Sequence, residues 1–482
     1  MMTRLRICGL LLVCALVAYG CSADREDDAD SGDGGTTEDS ADDGGGGGGG
    51  GGGGEDAFGD MESPCGEQDP ETAEPASTDP AETQGVGDGT LNLGTVSDPG
   101  FEGRPGLNQE LFDTGQAFVE WCNAQGGING RTIALTEYDA AITQYQQRIT
   151  EACSQEFAMV GGGAVSDNIW ETTGVACNLI DVAGFATTPE KAGEAGNASI
   201  EANRTIQPIP NPSNQFPVGA ARILAEEFPD APGNAEIIYG DIATTAVQKD
   251  RQIEGLSQVG YDFTEEVSYN ILGEANWAPF ATDLRDNEIS YLSFVGEGAN
   301  MAQLQIALEE QGYSPEVTQV DANLYDPEYV EAAGGAAEGT YLRLALWPFE
   351  EADQNPTGAT QQYIDLIEGI DGKVAALGAQ SMSAWLLFAQ IAGECDVAGD
   401  LTRQCILDGA GEVHDWTGGG LHAPANVGDN EGTECTVVMQ VEGDGFVRAF
   451  PEAPGDGASF EEGFDCSPEN VVDLQGTFSA SG

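Results

Sequence analysis

The sequence predicts an α/β protein built from two doubly wound, parallel-sheet lobes, and three observations carry that expectation. First, residues 91–96 and 132–136 are short apolar runs, and between them Leu111, Phe112, Phe118, Val119 and Cys122 recur at helical spacing. A strand, a crossover helix and a parallel strand follow from that pattern. Second, the alternation of strand and helix continues along the chain, which calls for parallel sheets covered on both faces. Third, Gln207-Pro208-Ile209-Pro210-Asn211-Pro212 interrupts it with a segment that suits an extended crossing better than any helix, dividing the pattern into two halves.

The first half turns on residues 123–130, Asn-Ala-Gln-Gly-Gly-Ile-Asn-Gly. Gly126 and Gly127 stop the helix because a left-handed backbone costs glycine nothing, and Asn129-Gly130 makes a second turn. From Leu91 through this turn to Tyr138-Asp139, the chain resembles the opening of the type I periplasmic binding proteins of the branched-chain amino acid and amide class. These are extracytoplasmic receptors of bacterial ABC importers. The resemblance runs from about Thr90 to beyond Pro451 and implies three crossings between the lobes, forming a hinge with a ligand cleft between them.

Composition narrows the alternatives. A length of 482 residues suits one two-lobed protein or two to three small domains, and 40% hydrophobic content supports a large core. With 83 acidic against 16 basic residues the formal charge is −67, which excludes an electrostatic nucleic-acid binder. The acidity is read as solubility in a salty or wall-associated setting rather than as a cation site. His414 and His422 are too few and too close together for a triad or a zinc site. No cofactor is expected: Gly85-Val86-Gly87 precedes a strand instead of following one, and Gly372-Lys373 has Ile367 where a phosphate loop needs glycine.

In chain order, residues 1–20 form an export signal, with Arg4 and Arg6 before an apolar run too short to span a membrane. Gly20-Cys21 resembles a bacterial lipobox, making Cys21 a lipid anchor on the outer face of the cell membrane. Tyr19 and Ala18 depart from the commonest pattern and leave plain secretion as the alternative. Residues 21–89 read as an acidic, glycine-rich tether. The first lobe takes residues 90–206, with strands at 91–97, 132–137, 157–161 and 179–184. The second begins at 207, with strands at 235–239, 263–268, 291–295 and 316–319. Residues 340–347 carry the chain back, so that 348–417 complete the first lobe with covering helices at 363–370 and 381–391. A third crossing near 418–421 assigns 418–482 to the second lobe, with strands at 436–441 and 445–450.

Eight cysteines remain once Cys8, Cys14 and Cys21 are set aside, an even number that argues for disulfides in an exported chain. Cys395 and Cys405 bracket a short loop and are expected to pair locally. Cys153 and Cys177 end helices on one sheet face and are expected to pair as well. Cys435 with Cys466 would staple the tail. Cys122 lies on the apolar face of its helix, so a buried thiol and a bridge to Cys65 both stay open.

Ligands of open parallel sheets sit beyond the carboxyl ends of the strands. In the first lobe that places loops 97–101, 161–167 and 184–189 at the cleft, where backbone N–H groups suit a carboxylate. The resemblance implies that the latter two loops hold an amino acid backbone, with Thr187 at the binding threonine and Ser166 near the binding serine. Both could instead cap helices. Asp167, Trp170, Phe185 and Thr188 flank them, Trp170 suiting core or ligand equally. Trp277 packs its own helix. In the second lobe Thr244, Glu297 and Asp321 are the candidates. Glu297 stands at the family's aromatic position and Ala322 at its acidic one, so Asp321 or Glu297 would replace that charge, or the ligand carries no ammonium.

The resulting expectation is a monomeric, non-enzymatic receptor for a small solute, amino acid or amide-like, delivering it to permease and ATPase subunits. A sensor of the same fold is the alternative. An exported hydrolase using Asp167 and Glu297 ranks last, because no GxSxG elbow, HExxH helix or nearby histidine supports it.

Overall fold

The structure is a computed structural model that describes residues 57–67, 77–455 and 457–481. The expected export signal, Cys21 and the tether to residue 56 lie outside the described residues. In the first lobe, β1 (Thr90–Ser97), β2 (Thr132–Asp139), β3 (Ala158–Val160), β4 (Ile180–Val182) and β5 (Thr205–Ile206) form one sheet in the order β2-β1-β3-β4-β5. Every pairing is parallel, and Leu93 sits opposite both Leu135 and Ala158. Alternate residues of β3 serve opposite faces. Ala158 and Val160 join the core under helices Glu110–Ala124 and Ala376–Val397, where Trp385 stacks on Phe118 at 5.4 Å between ring centroids. Met159 faces a second core with Tyr145, Ile149 and Trp170.

The second lobe contains β6 (Gln215–Pro217), β7 (Ala235–Gly240), β8 (Phe263–Tyr269), β9 (Tyr291–Val295), β10 (Val317–Val320), β11 (Tyr341–Leu344), β12 (Cys435–Glu442), β13 (Gly445–Phe450), β14 (Asp465–Cys466) and β15 (Val471–Asp473). Its main sheet runs β13-β12-β11-β10-β9-β7-β8, parallel from β8 to β11 and antiparallel beyond. Each sheet reverses its winding once, between β1 and β3 and between β7 and β9. Loops diverge at those two points and leave a crevice.

Three segments cross between the lobes, and two of them pair. Trp347 donates its N–H to Leu421 O at 2.9 Å and Ala423 donates to Ala345 O at 2.8 Å. The second crossing is shorter than the expected 340–347, because Tyr341–Leu344 is a strand of the second sheet, hydrogen-bonded on both edges. The third reaches beyond residue 421 to Ala423. Within it His422 is fully buried; it accepts from Ser383 Oγ at 2.8 Å through Nε2 and donates from Nδ1 to Ala423 O. Burial pushes its pKa down to about 4, so the hinge carries a neutral imidazole.

Two stretches depart from the expected boundaries. Residues 57–67 are not a free spacer. Phe58 is fully buried beside Trp121, Asp60 donates to Gly419 O at 3.2 Å, and Gly66 donates to Gly127 O at 2.7 Å within the organising turn. Cys65 is disulfide-bonded to Cys122, and the three other expected disulfides are present as well. The short helix Pro80–Thr83 also docks, since Arg403 Nη1 donates to Ala81 O at 3.0 Å. At the other end, the tail returns from the second lobe to the first: Ser479 Oγ and the Ser481 N–H both donate to Glu190, at 2.8 and 2.9 Å.

Candidate functional site

The two reversal points face one cavity of about 230 Å3, walled by both lobes and by the first crossing at residues 209–212. The walls also meet directly. Thr244 Oγ1 donates to Val165 O at 2.9 Å, and Gln248 Nε2 donates to Thr187 O.

On the first-lobe side, buried carboxylates of the protein itself hold the loops. Asp98 is fully buried and accepts from the Val165 N–H at 2.7 Å and the Ile142 N–H at 2.5 Å. Asp167, equally buried, accepts from the Thr187 and Thr188 N–H groups at 2.8 and 2.9 Å. Burial raises the pKa of both, Asp167 to about 6 despite nearby Lys191 and the two N–H bonds. Behind this loop Lys191 is completely enclosed, 2.6 Å from Asp181 and with its Nζ over the Trp170 and Tyr145 rings. Burial opposes the Lys191 charge, but Asp181, Tyr145 and Asp167 outweigh it and raise the pKa. The N–H groups expected to receive a ligand carboxylate are thus already bonded at Val165, Thr187 and Thr188.

Charged side chains line the rest of the cavity in pairs. Lys373 lies 2.7 Å from Glu110 in its own lobe and 3.0 Å from Asp326 across the cleft. Arg104 bridges to Glu328 at 3.4 Å and more loosely to Glu297 at 3.9 Å. Burial raises the Glu297 pKa, and that distant guanidinium only partly opposes the rise. Arg343, on β11, pairs with Asp321 at 2.6 Å.

Of the residues singled out from sequence, Phe185, Thr187, Thr244, Glu297 and Asp321 line the cavity together. Thr187 does not cap a helix; its hydroxyl donates to Ala164 O at 2.9 Å. Ser166, Asp167, Trp170 and Thr188 do not line the cavity. Trp170 belongs to the core, fully buried with Nε1 donating to Asn203 O at 2.7 Å, and Thr188 is fully buried as well. Asp167 turns inward to backbone, so it forms no carboxylate pair with Glu297 in the cavity. Trp277 packs its helix, 5.3 Å from Tyr269 and 5.1 Å from Phe280 between ring centroids. Sequence reasoning missed Arg104, Arg343, Lys373 and the glutamines Gln248 and Gln252. Arg343 left a trace, a lone cation inside the apolar run 341–347.

Two parallel-sheet lobes whose reversal points share a cleft define the two-lobed, solute-binding class of protein. The chain belongs to the periplasmic binding protein family, which matches residues 108–445. Similar solved structures include a fatty acid ABC transporter substrate-binding protein from Thermomonospora curvata, at 14% identity and a TM-score of 0.62, covering 83% of this chain and 96% of that one. The leucine-binding protein LivK from Thermotoga maritima matches at 15% identity and 0.59, covering 75% and 98%. The leucine-, isoleucine-, valine-, threonine- and alanine-binding protein from Brucella ovis matches at 13% and 0.58, covering 80% and 95%. At these identities the likeness establishes the type I fold. No curated protein sequence matches the chain at a significant level.

Proposed function

We propose that the protein is the extracytoplasmic solute-binding receptor of an ABC importer. It captures a small organic solute, amino acid or amide-like, by closing its lobes and delivers it to a membrane permease coupled to an ATPase. The observation that supports this most is a cavity of about 230 Å3 shared by both lobes at their reversal points. Phe185 and Thr187 contact the solute from one lobe and Thr244 and Glu297 from the other, where Asp321 also lines the wall. Cross-lobe bonds such as Thr244 to Val165 favour the closed form, and a bound solute adds to them, so affinity comes from differential stabilisation of that form. The receptor acts as a monomer, held to the outer face of the membrane through Cys21.

Thermal unfolding of the full chain against amino acids, amides and organic acids tests this reading. A solute at about a hundred times its dissociation constant adds about 2.7 kcal/mol, which raises the midpoint measurably. A midpoint unmoved by every member of the panel contradicts it.

A further inference from the structure

We infer that the solute is a monocarboxylate with an apolar body, whose acid group is anchored on the second lobe by Arg343, taking the place that Asp321 holds beside that guanidinium. This rests on the receptor reading above and narrows it.

The first argument is the state of the first-lobe loops. The N–H groups of Val165, Thr187 and Thr188 are bonded to Asp98 and Asp167, both fully buried. An anion arriving there would meet two carboxylates and no open N–H at those three positions.

The second argument is charge balance around Arg343. Its Nη2 meets Asp321, the one acid paired with it among the described residues. Close by, Arg251 is fully buried and has no carboxylate within ion-pair distance among the described residues. Its guanidinium is held by neutral acceptors alone: Gln248 Oε1 at 3.0 Å, Asn211 Oδ1 at 3.2 Å, Pro212 O at 2.6 Å and Gln215 O at 3.0 Å. All four acceptors line the cavity, and Arg251 Nε has no hydrogen-bond partner among the described residues. Burial above all, and after it the Arg343 charge, pushes the Arg251 pKa down to about 10, and Asp321 only partly opposes the fall. In a chain of 16 basic and 83 acidic residues, a pair of guanidinium groups with a single acid is a local surplus of positive charge. A ligand carboxylate supplies what is missing and can use the planar fork of Arg343, of which Asp321 engages one nitrogen.

The third argument sets the rest of the ligand. Arg104 and Lys373, the other cations of the cavity, are already shared among Glu110, Glu297, Asp326 and Glu328. A second carboxylate on the solute would face that acidic wall, which excludes dicarboxylates. Ile209, Phe216, Phe294 and Leu377 supply apolar wall for the body. Asp321 acts as an internal stand-in: it is half exposed and tied to its own turn by the Ala322 N–H, so it can leave Arg343 without unfolding anything.

The test is calorimetric titration of matched acid and amide pairs, leucine with leucinamide, benzoate with benzamide and hexanoate with hexanamide, into the full-length wild type, R343Q and D321N. At least one acid is expected to bind, with its amide weaker by about tenfold to a hundredfold. R343Q weakens that acid by a similar factor, whereas D321N, which removes the competing carboxylate, strengthens it. D321N leaves every cation of the cavity in place and so reports on the site even where R343Q folds poorly. An amide binding as tightly as its acid, or R343Q retaining full affinity, overturns the inference. If neutral solutes bind and no acid does, the Arg343 assignment falls and the receptor reading stands. If nothing binds, the receptor reading falls and takes the assignment with it.

Discussion

Replacing Lys191 with methionine is expected to cost about 3–5 kcal/mol of stability, read from denaturant unfolding. Lys191 and Asp181 are both fully enclosed at 2.6 Å, so neither has water to fall back on. Without the ammonium, Asp181 is left as a buried, uncompensated charge, and Asp167 loses the cation that restrains its pKa. Because Asp167 holds the Thr187 and Thr188 N–H groups, the disturbance reaches the cavity wall. The loss should be larger at pH 8 than at pH 5. A carboxyl whose folded pKa lies above its unfolded value binds more protons when folded, so stability falls as pH rises between the two values. Removing Lys191 widens that gap. The double substitution Lys191→Met with Asp181→Asn should recover most of the loss; no recovery would show that packing around Trp170, not charge, dominates.

Glu236→Gln is expected to stabilise the protein at pH 8 and flatten its pH dependence. Glu236 lies on β7, fully buried, and neither carboxyl oxygen has a hydrogen-bond partner among the described residues. Burial, followed by the charges of Asp283 and Glu265, raises its pKa from 4.5 to about 8. The folded protein therefore holds a proton that the unfolded chain releases near pH 4.5. The contribution of Glu236 to stability falls across that window as pH rises, by about 3 kcal/mol between pH 5 and pH 8. The glutamine variant should lose that slope. A glutamine variant whose stability changes between pH 5 and pH 8 as steeply as that of the wild type would contradict the assignment.

The strands of both lobes could be read from sequence because alternating and apolar runs bounded by glycine or proline are local signals, as in β1, β2 and β9. Partners far apart in the chain leave no such signal. Phe58 and Cys65 stand alone in an acidic, glycine-rich stretch, and their burial depends on Trp121 and on Cys122, 57 residues beyond Cys65. The same limit divided the candidate site. Thr187, Thr244 and Glu297 followed from their place after strands, whereas an acidic loop residue such as Asp167 looks the same whether it faces a solute or turns back to cap N–H groups. Arg343 sat within a strand, where a loop-based search does not look. Its meaning depends on Asp321 at 2.6 Å and on Arg251, whose guanidinium has only neutral acceptors among the described residues.

The central claim, one solute held between two lobes, is tested most directly by titrating the solute that stabilises the full chain into Thr187→Ala and Thr244→Ala, one change per lobe. Thr187 and Thr244 line the same cavity from opposite sides. Each substitution should weaken binding by about tenfold while leaving the solute-free unfolding midpoint within a few degrees of wild type. If either variant binds as tightly as wild type, that lobe does not hold the solute, and capture by closure of this cleft is wrong.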